Sequence, residues 1–403
     1  MPTSTRTNRE PSPLHALALR RWAFACLSSG RSEAEFGDRA VLGDIVPTTW
    51  RLFLAAERCA AALARCPGGL LRDLPRFAQE LLSATARAEL QRILVARSQL
   101  QVLSHLARET GCRPILLRGG ASLTLDDRSF DLDDLDLVLP PREVARFAAA
   151  LDAAGYRPLV GSGSHRHLDV RAAPGSLDIE IHVSKDREQG LPHGAALENV
   201  RSLPGAPGLA RLSALEHAWN ILAHVTVDHI YRRGQIRDVL LLADAIAECS
   251  PDESAALARR AAEHPAAGVM DAQLAMARAI NDAKPPIDAF ETVALTNYVV
   301  RLRAKGMVHL PGNLPVTASN LVFAILGGPI ERRGFWTRET SIPMEPSRFA
   351  FIAWVQRRFP ALGRRWLLFF RLLRLPVALA LAVPLVVAAR RALGRAGLAP
   401  RIG

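Results

Sequence analysis

Three acidic residues set the chemistry to look for. Asp134 and Asp136 alternate with leucines along Asp134-Leu135-Asp136-Leu137-Val138-Leu139, and Glu180 alternates with isoleucines along Asp178-Ile179-Glu180-Ile181-His182-Val183. On a strand, side chains two apart share a face. Asp134 and Asp136 therefore point one way while Leu135, Leu137 and Leu139 point into a core, and Asp178, Glu180 and His182 share a face opposite Ile179, Ile181 and Val183. Were the two strands neighbours, Asp134, Asp136 and Glu180 would converge. Clustered carboxylates repel one another, and a divalent cation relieves that repulsion. Mg²⁺ suits oxygen ligands and triphosphates, with Mn²⁺ as its nearest substitute, and a metal pair can stabilise both the entering and the leaving oxygen in phosphoryl transfer. The three carboxylates are thus the candidate catalytic and the candidate metal-binding residues.

Upstream, Arg118-Gly119-Gly120-Ala121-Ser122 follows an apolar stretch. Glycine lets a backbone approach a phosphate and aim N–H groups at it, so Arg118, Gly119, Gly120 and Ser122 form the candidate nucleotide-binding segment. Alone, Asp-x-Asp on an amphipathic strand reads as a solvated edge; the glycine pair and the Glu180 strand give it its weight. His165, His167 and His182 are candidate cleft residues. His-x-His on a strand also suits zinc, but no fourth ligand accompanies these three. His217 and His224, seven apart, share one helical face, where packing and cleft lining both apply.

The elements that must position these groups follow from periodicity. Residues 14–110 are mostly helical, with Leu90, Ile93, Leu94, Leu100 and Leu103 at three- and four-residue spacing and Gly111 as the C-cap. Pro114 to Leu117 and Leu135 to Leu139 are strands, Arg142 to Ala154 is an amphipathic helix, and His167–Val170 with Leu177–Val183 form a hairpin. The expected fold class is α+β: a small mixed-sheet core at 85–200 flanked by a helical N-terminal region (1–84) and C-terminal helices (211–305). Residues 201–210, rich in proline and glycine, suggest a connector, Ser213 with Glu216 a capping box, and 306–345 a loop-rich connector. No internal repeat is present.

Charge is concentrated at one end. The net charge is +12, yet residues 346–403 contain eleven arginines and no acidic residue, which leaves the first 345 residues at +1. There, Phe351, Trp354, Phe359, Trp366, Phe369 and Phe370 lie among arginines, and the uncharged run Leu375 to Ala389 contains Pro376 and Pro384. A membrane span wants about twenty apolar residues. This tail admits three readings: a helix in an anionic membrane surface, a segment docked on the body, or a nucleic-acid contact. Five cysteines without a CxxC pair indicate neither a zinc site nor a disulfide framework. With no signal-peptide core, the expected location is cytoplasmic, with peripheral attachment to the inner face of a membrane through the tail.

Gly119-Gly120, thirteen further residues and then Asp134-Leu135-Asp136-Leu137 resemble the signature of the DNA polymerase β-like nucleotidyltransferase superfamily. Within it, Leu117-Arg118-Gly119, Asp133-Asp134-Leu135-Asp136-Leu137, Gly155-Tyr156 and Glu180-Ile181-His182 are similar to an uncharacterised bacterial nucleotidyltransferase group. The likeness covers roughly residues 85–245 and reaches Ser213, His217, His224 and Arg237-Asp238. It implies that Asp134 and Asp136 bind two Mg²⁺ ions and the triphosphate, and that Glu180 completes the site and helps deprotonate an attacking hydroxyl. Two positions depart from that group: Arg118 stands where lysine is usual, and Asp133 where glycine is usual. The expected activity is Mg-dependent transfer of a nucleoside monophosphate from an NTP to an acceptor hydroxyl with release of pyrophosphate. The acceptor stays open between a small molecule, a protein and RNA. Two alternatives stand beside it: a non-catalytic binding or regulatory protein on the same fold, and a membrane-surface accessory protein of envelope or glycan assembly.

Overall fold

The computed structural model describes residues 11–29, 39–66, 71–72, 74–123, 131–158, 167–171, 175–183, 191, 195–282, 288–307, 314–340, 358–359, 369 and 372–399. The chain begins with α1 (Pro13–Ser29), α2 (Arg39–Asp44), α3 (Pro47–Glu57), α4 (Ala60–Ala64) and α5 (Arg76–Thr110). Helix α5 is 35 residues long and changes partners part-way. Ala78, Leu82 and Ala86 belong to an all-helical core, whereas Ile93, Leu100, Leu103 and Ala107 belong to the core against the sheet. Gly111 ends it at φ 62°, a left-handed cap that costs a residue without Cβ nothing.

Where α5 changes partners, buried Glu89 accepts N–H bonds from Ala60 (3.3 Å) and Ala61 (2.6 Å) at the start of α4. Burial, opposed by these bonds, pushes its carboxyl up from 4.5 to about 7. The folded chain then holds this proton more tightly than the unfolded chain, so the Glu89 contribution to stability falls as pH rises from about 4.5 to about 7. Glu89→Gln removes the titration. Thermal unfolding across that window should show the variant gaining on the wild type as pH rises; a pH-independent difference would contradict the assignment.

Next come β1 (Ile115–Leu116), α6 (Arg118–Ser122), β2 (Asp134–Leu139), α7 (Pro141–Ala153), β3 (Arg157–Pro158), β4 (His167–Arg171), β5 (Asp178–Val183), α8 (Ala195–Glu198), β6 (Val200–Leu203) and β7 (Ala206–Leu212). The strands form one mixed sheet of order β3-β4-β5-β2-β1-β7-β6. The expected hairpin is β4–β5, and β5 lies parallel to β2. The stretch 201–210 is not a connector: it supplies the hairpin β6–β7, with Gly205 at φ 74° in the turn and β7 parallel to β1. Proline is tolerated here because Pro204 lies in the turn and Pro207 near the start of β7, where a missing N–H costs little. Leu135, Leu137, Leu139, Ile179 and Ile181 face α5 and α7, through Leu103, Phe147 and Leu151 among others. The other face carries Leu117, Val138 and Leu212, together with the carboxylates.

The helices that follow are α9 (Ala214–Ala223), continued by a π-helical turn at His224–Asp228, then α10 (Ile236–Ala247), α11 (Pro251–Ala262), α12 (Ala267–Asn281) and α13 (Glu291–Ala304). Ser213 caps α9 by accepting the Glu216 N–H at 3.4 Å. The Glu216 carboxylate accepts from Arg260 at 3.0 and 3.1 Å. Helices α1 and α3 pack on α13, and one buried carboxylate ties them together: Glu57 accepts from Arg20 (2.8 Å), from the Ile236 N–H (2.9 Å) and from the Tyr298 hydroxyl. The N-terminal helices thus share one apolar core with those after residue 213.

Residues 306–345, expected to be loop-rich, hold α14 (Leu314–Leu326) and α15 (Pro329–Thr340). Apolar residues of α14 lie on both its buried side (Val322, Phe323) and its exposed side (Val316, Ile325), so no helical alternation marks it. In the tail, α16 (Leu375–Arg395) runs through Pro384 as one helix of 21 residues and packs on α13 and α14. Phe351, Trp354, Trp366 and Phe370 lie outside the described residues. The architecture is α+β, a small mixed sheet with helical flanks.

Candidate active site

The site grows from the pairing of β2 with β5. Their parallel register sets Asp134 beside Asp178 and Asp136 beside Glu180. His182 follows two residues after Glu180, on the same face, and its Nε2 donates to Asp136 Oδ1 at 3.0 Å while lying 3.8 Å from Glu180 Oε2. Ligand-type atoms of Asp136, Glu180 and His182 all fall within 4.8 Å of one another, the one such group among the described residues. The strand alternation that the sequence shows therefore brings together Asp136 and Glu180 as expected, and makes His182 the third member of the cluster. Asp134 stands two residues earlier on the same face. On β4, the backbone of Asp169 pairs with Glu180 and that of His167 with His182. His165 lies outside the described residues.

Arg118 enters from α6. Its backbone adopts φ 48°, a left-handed value that costs a residue with a Cβ about 1 kcal/mol. The guanidinium is buried and donates to Asp136 Oδ1 at 2.9 Å. The positive φ thus falls on the arginine. Both glycines serve close packing instead: a Cβ on Gly119 would sit 2.4 Å from Leu132 Cδ2, and one on Gly120 3.1 Å from Leu116. Ser122 Oγ shares a buried 3.2 Å hydrogen bond with His217 Nε2, which fastens α6 to α9. Burial, aided by the charge of Arg211, pushes the His217 imidazole down to about 4, so at neutral pH that bond joins two uncharged groups. Burial, with Arg118, His229, Arg232 and Arg237 nearby, likewise holds His224 well below its ordinary value.

Electrostatics separate the two aspartates. Burial and the Asp136 charge push Asp134 up to about 6, against the pull of Arg237 and Arg118. Burial also works to raise Asp136, but the Arg118 guanidinium and the His182 hydrogen bond outweigh it and hold this carboxyl well below the usual range. Arg118 in turn is buried, yet Asp136, Asp228, Glu180 and Asp134 keep its charge in place. Two guanidiniums, Arg118 and Arg237, among the carboxylates of Asp134, Asp136, Glu180 and Asp228 leave the site acidic; carboxylate oxygens at short range are donors that a hard divalent ion accepts, and the imidazole beside them suits a borderline one. The residues present therefore fit a divalent cation, held by Asp136 and Glu180 with His182 beside them.

Several contributors were not legible as site residues. Asp228 comes from the π-helical turn and acts on Arg118; its only sequence signal is the His224–Asp228 spacing of four, and the two lie 3.7 Å apart. Arg58 and Arg92 ion-pair with Asp131 at 2.7 and 2.5 Å, and Arg58 also with Asp133 at 2.5 Å. Asp133, which immediately precedes Asp134, is thus neutralised by Arg58 at the C-terminal end of α3. In a chain with 51 lysines and arginines, no pattern singles out those two.

A family model described as uncharacterised nucleotidyltransferase matches residues 54–280, more than half of the chain. The chain belongs to this nucleotidyltransferase family. The match takes in the sheet with its carboxylates, α6, and the helices that supply His217, Asp228 and Arg237, and it begins upstream of Arg58. No curated protein and no solved structure matches the chain. Membership gives the nucleotidyltransferase fold and a nucleotide as the substrate class.

Proposed function

We propose that this protein transfers a nucleoside monophosphate from an NTP to an acceptor hydroxyl, with Mg²⁺ as cofactor. The observation that carries the reading is the register that sets Asp136 against Glu180, with Asp134 on the same strand face, in a chain of this family. The metal would be held by Asp134, Asp136 and Glu180, and would neutralise charge on the phosphates and polarise the α-phosphorus. Glu180 accepts the proton of the acceptor hydroxyl as its oxygen bonds to that phosphorus, the bond to the bridging oxygen breaks, and pyrophosphate leaves. Arg118, already placed between the carboxylates, offers the guanidinium for the triphosphate, and Arg237 screens Asp134. Positioning and charge neutralisation supply the rate. Incubation with each α-³²P-labelled NTP, Mg²⁺ and lysate fractions as acceptors tests the reading. Label appearing in an acceptor names the nucleotide; no label with any nucleotide moves the assignment to the non-catalytic alternative.

A second observation favours a membrane-surface role for the tail. Helix α16 buries Ala378, Ala382, Leu385, Ala389 and Leu393 against the body but leaves Val377, Leu379, Val383 and Val387 exposed, between Arg374 and the pair Arg390-Arg391. It is long and apolar enough to cross a membrane, with mean hydropathy 1.8, and a third of it is buried. One docked face and one bare apolar face flanked by arginines suit an anionic interface. The intact protein should co-sediment with phosphatidylglycerol-containing vesicles, and Val377→Gln/Val383→Gln should release it to the supernatant. Equal sedimentation of the two proteins would refute this role.

A further inference from the structure

A pocket of about 430 Å³ opens between the N-terminal helices and the head of β2. Five guanidiniums line it, those of Arg51, Arg58, Arg92, Arg232 and Arg301. Facing them are Asp131, committed to Arg58 and Arg92, Asp133, committed to Arg58, and Glu89, whose carboxyl burial pushes up to about 7. Among the described residues no carboxylate lies within ion-pair distance of Arg51, Arg232 or Arg301. Arg301 donates to Asn297 Oδ1 (3.1 Å) and the Ala55 carbonyl (3.4 Å), and burial, opposed by the more distant Glu57 charge and joined by Arg232 and Arg58, lowers its affinity for its own proton. Arg58 keeps a buried Nη2 that no acceptor among the described residues meets. A cavity that gathers more positive charge than its own acids cancel, and leaves a buried donor open, is built for an anion.

Its position ties it to the carboxylate site. Asp131 and Asp133, in its wall, run directly into Asp134, and Gln235, also in its wall, precedes Arg237 by two residues. Arg232 acts on His224, which also feels Arg118. The pocket is therefore next to the reacting groups without sharing its arginines with them. Guanidiniums recognise phosphate through paired N–H donors, and an excess of two to three positive charges matches the two negative charges of a phosphate monoester.

We propose that this pocket binds the phosphate group of a small phosphorylated acceptor, whose hydroxyl then reaches the Asp136–Glu180 site; the acceptor role rests on the nucleotidyl-transfer reading, whereas phosphate binding does not. Calorimetric titration of the full chain with inorganic phosphate and with glycerol 3-phosphate, in EDTA and without nucleotide, tests it. Both should bind, glycerol 3-phosphate more tightly. Arg51→Gln/Arg232→Gln, chosen because neither arginine holds a carboxylate, should weaken binding about tenfold or more, and Asp134→Asn should leave it unchanged. Binding that is indifferent to the arginine pair, or that needs Mg²⁺ and is lost in Asp134→Asn, would overturn the proposal by placing the anion at the carboxylates. Equal affinity for both probes would refute the acceptor role. Phosphate binding that follows the arginines in a protein that transfers no nucleotide would support the pocket and remove the transfer reading alone.

Discussion

Asp134→Asn removes label transfer from an α-³²P nucleoside triphosphate by about 10³-fold or more and leaves the chain folded with an unchanged or higher Tm. The first half follows from charge. Electrostatic stabilisation by metal-held phosphates is worth several kcal/mol, and each 1.36 kcal/mol is a factor of ten. The second half follows from the environment of the group. Burial and Asp136 push the Asp134 carboxyl up to about 6 from 3.8, so its ionised form opposes folding at neutral pH, and an amide of the same shape relieves that. Asp136→Asn behaves differently. Its carboxylate accepts from the buried Arg118 and from His182, and breaking a buried pair on one side costs about 3 kcal/mol. Loss of activity in that variant could come from loss of the fold. Asp134→Asn separates the two causes, and a folded Asp134→Asn that still transfers label would remove Asp134 from the chemistry.

Gly208→Ala is expected to cost about 3 kcal/mol or more, the largest stability effect of any single methyl added to the described glycines. Strand β7 crosses α5 so closely that a Cβ at Gly208 would lie 2.0 Å from the Ser104 carbonyl oxygen and 2.9 Å from its carbon. Both are backbone atoms inside regular elements and cannot swing aside. The Gly208 N–H also donates to Ser104 Oγ at 2.9 Å, so displacement breaks a bond as well. Because β7 pairs with β1, and β1 leads into the Arg118 turn, the damage should reach the site. Gly43, in α2, meets nothing within 4 Å; Gly43→Ala should be neutral or stabilise by about 0.5–1 kcal/mol. Urea unfolding of both variants decides the matter, and similar midpoints would refute the close-approach argument.

The contrast between these two glycines illustrates what can be read from a chain. Local periods are written in the sequence. Alternation of acid and leucine at 134–139, and of acid and isoleucine at 178–183, is enough to assign the carboxylates to one face, because the side-chain period of a strand is a property of the backbone alone. The same holds for Gly111 ending α5 and for Ser213 opening α9. By contrast, nothing in residues 201–210 distinguishes a linker from the hairpin β6–β7, since Pro204 and Gly205 suit either. Helix α14 escaped for a related reason, since it lacks a single apolar side, whereas a helix in the tail was legible but not its unbroken passage through Pro384.

By itself the sequence determined the nucleotidyltransferase core, the strand faces of Asp134, Asp136 and Glu180, and the concentration of charge in the tail, all of which depend on spacing over a few residues. Only the tertiary structure decided that Asp136 meets Glu180 and His182, that Arg118 donates to Asp136, and that Ser122 bonds to His217. It alone drew Arg51, Arg58, Arg92, Arg232 and Arg301 around one pocket. Such partnerships join residues tens to hundreds of positions apart, and their energies depend on burial and distance, which no local pattern encodes.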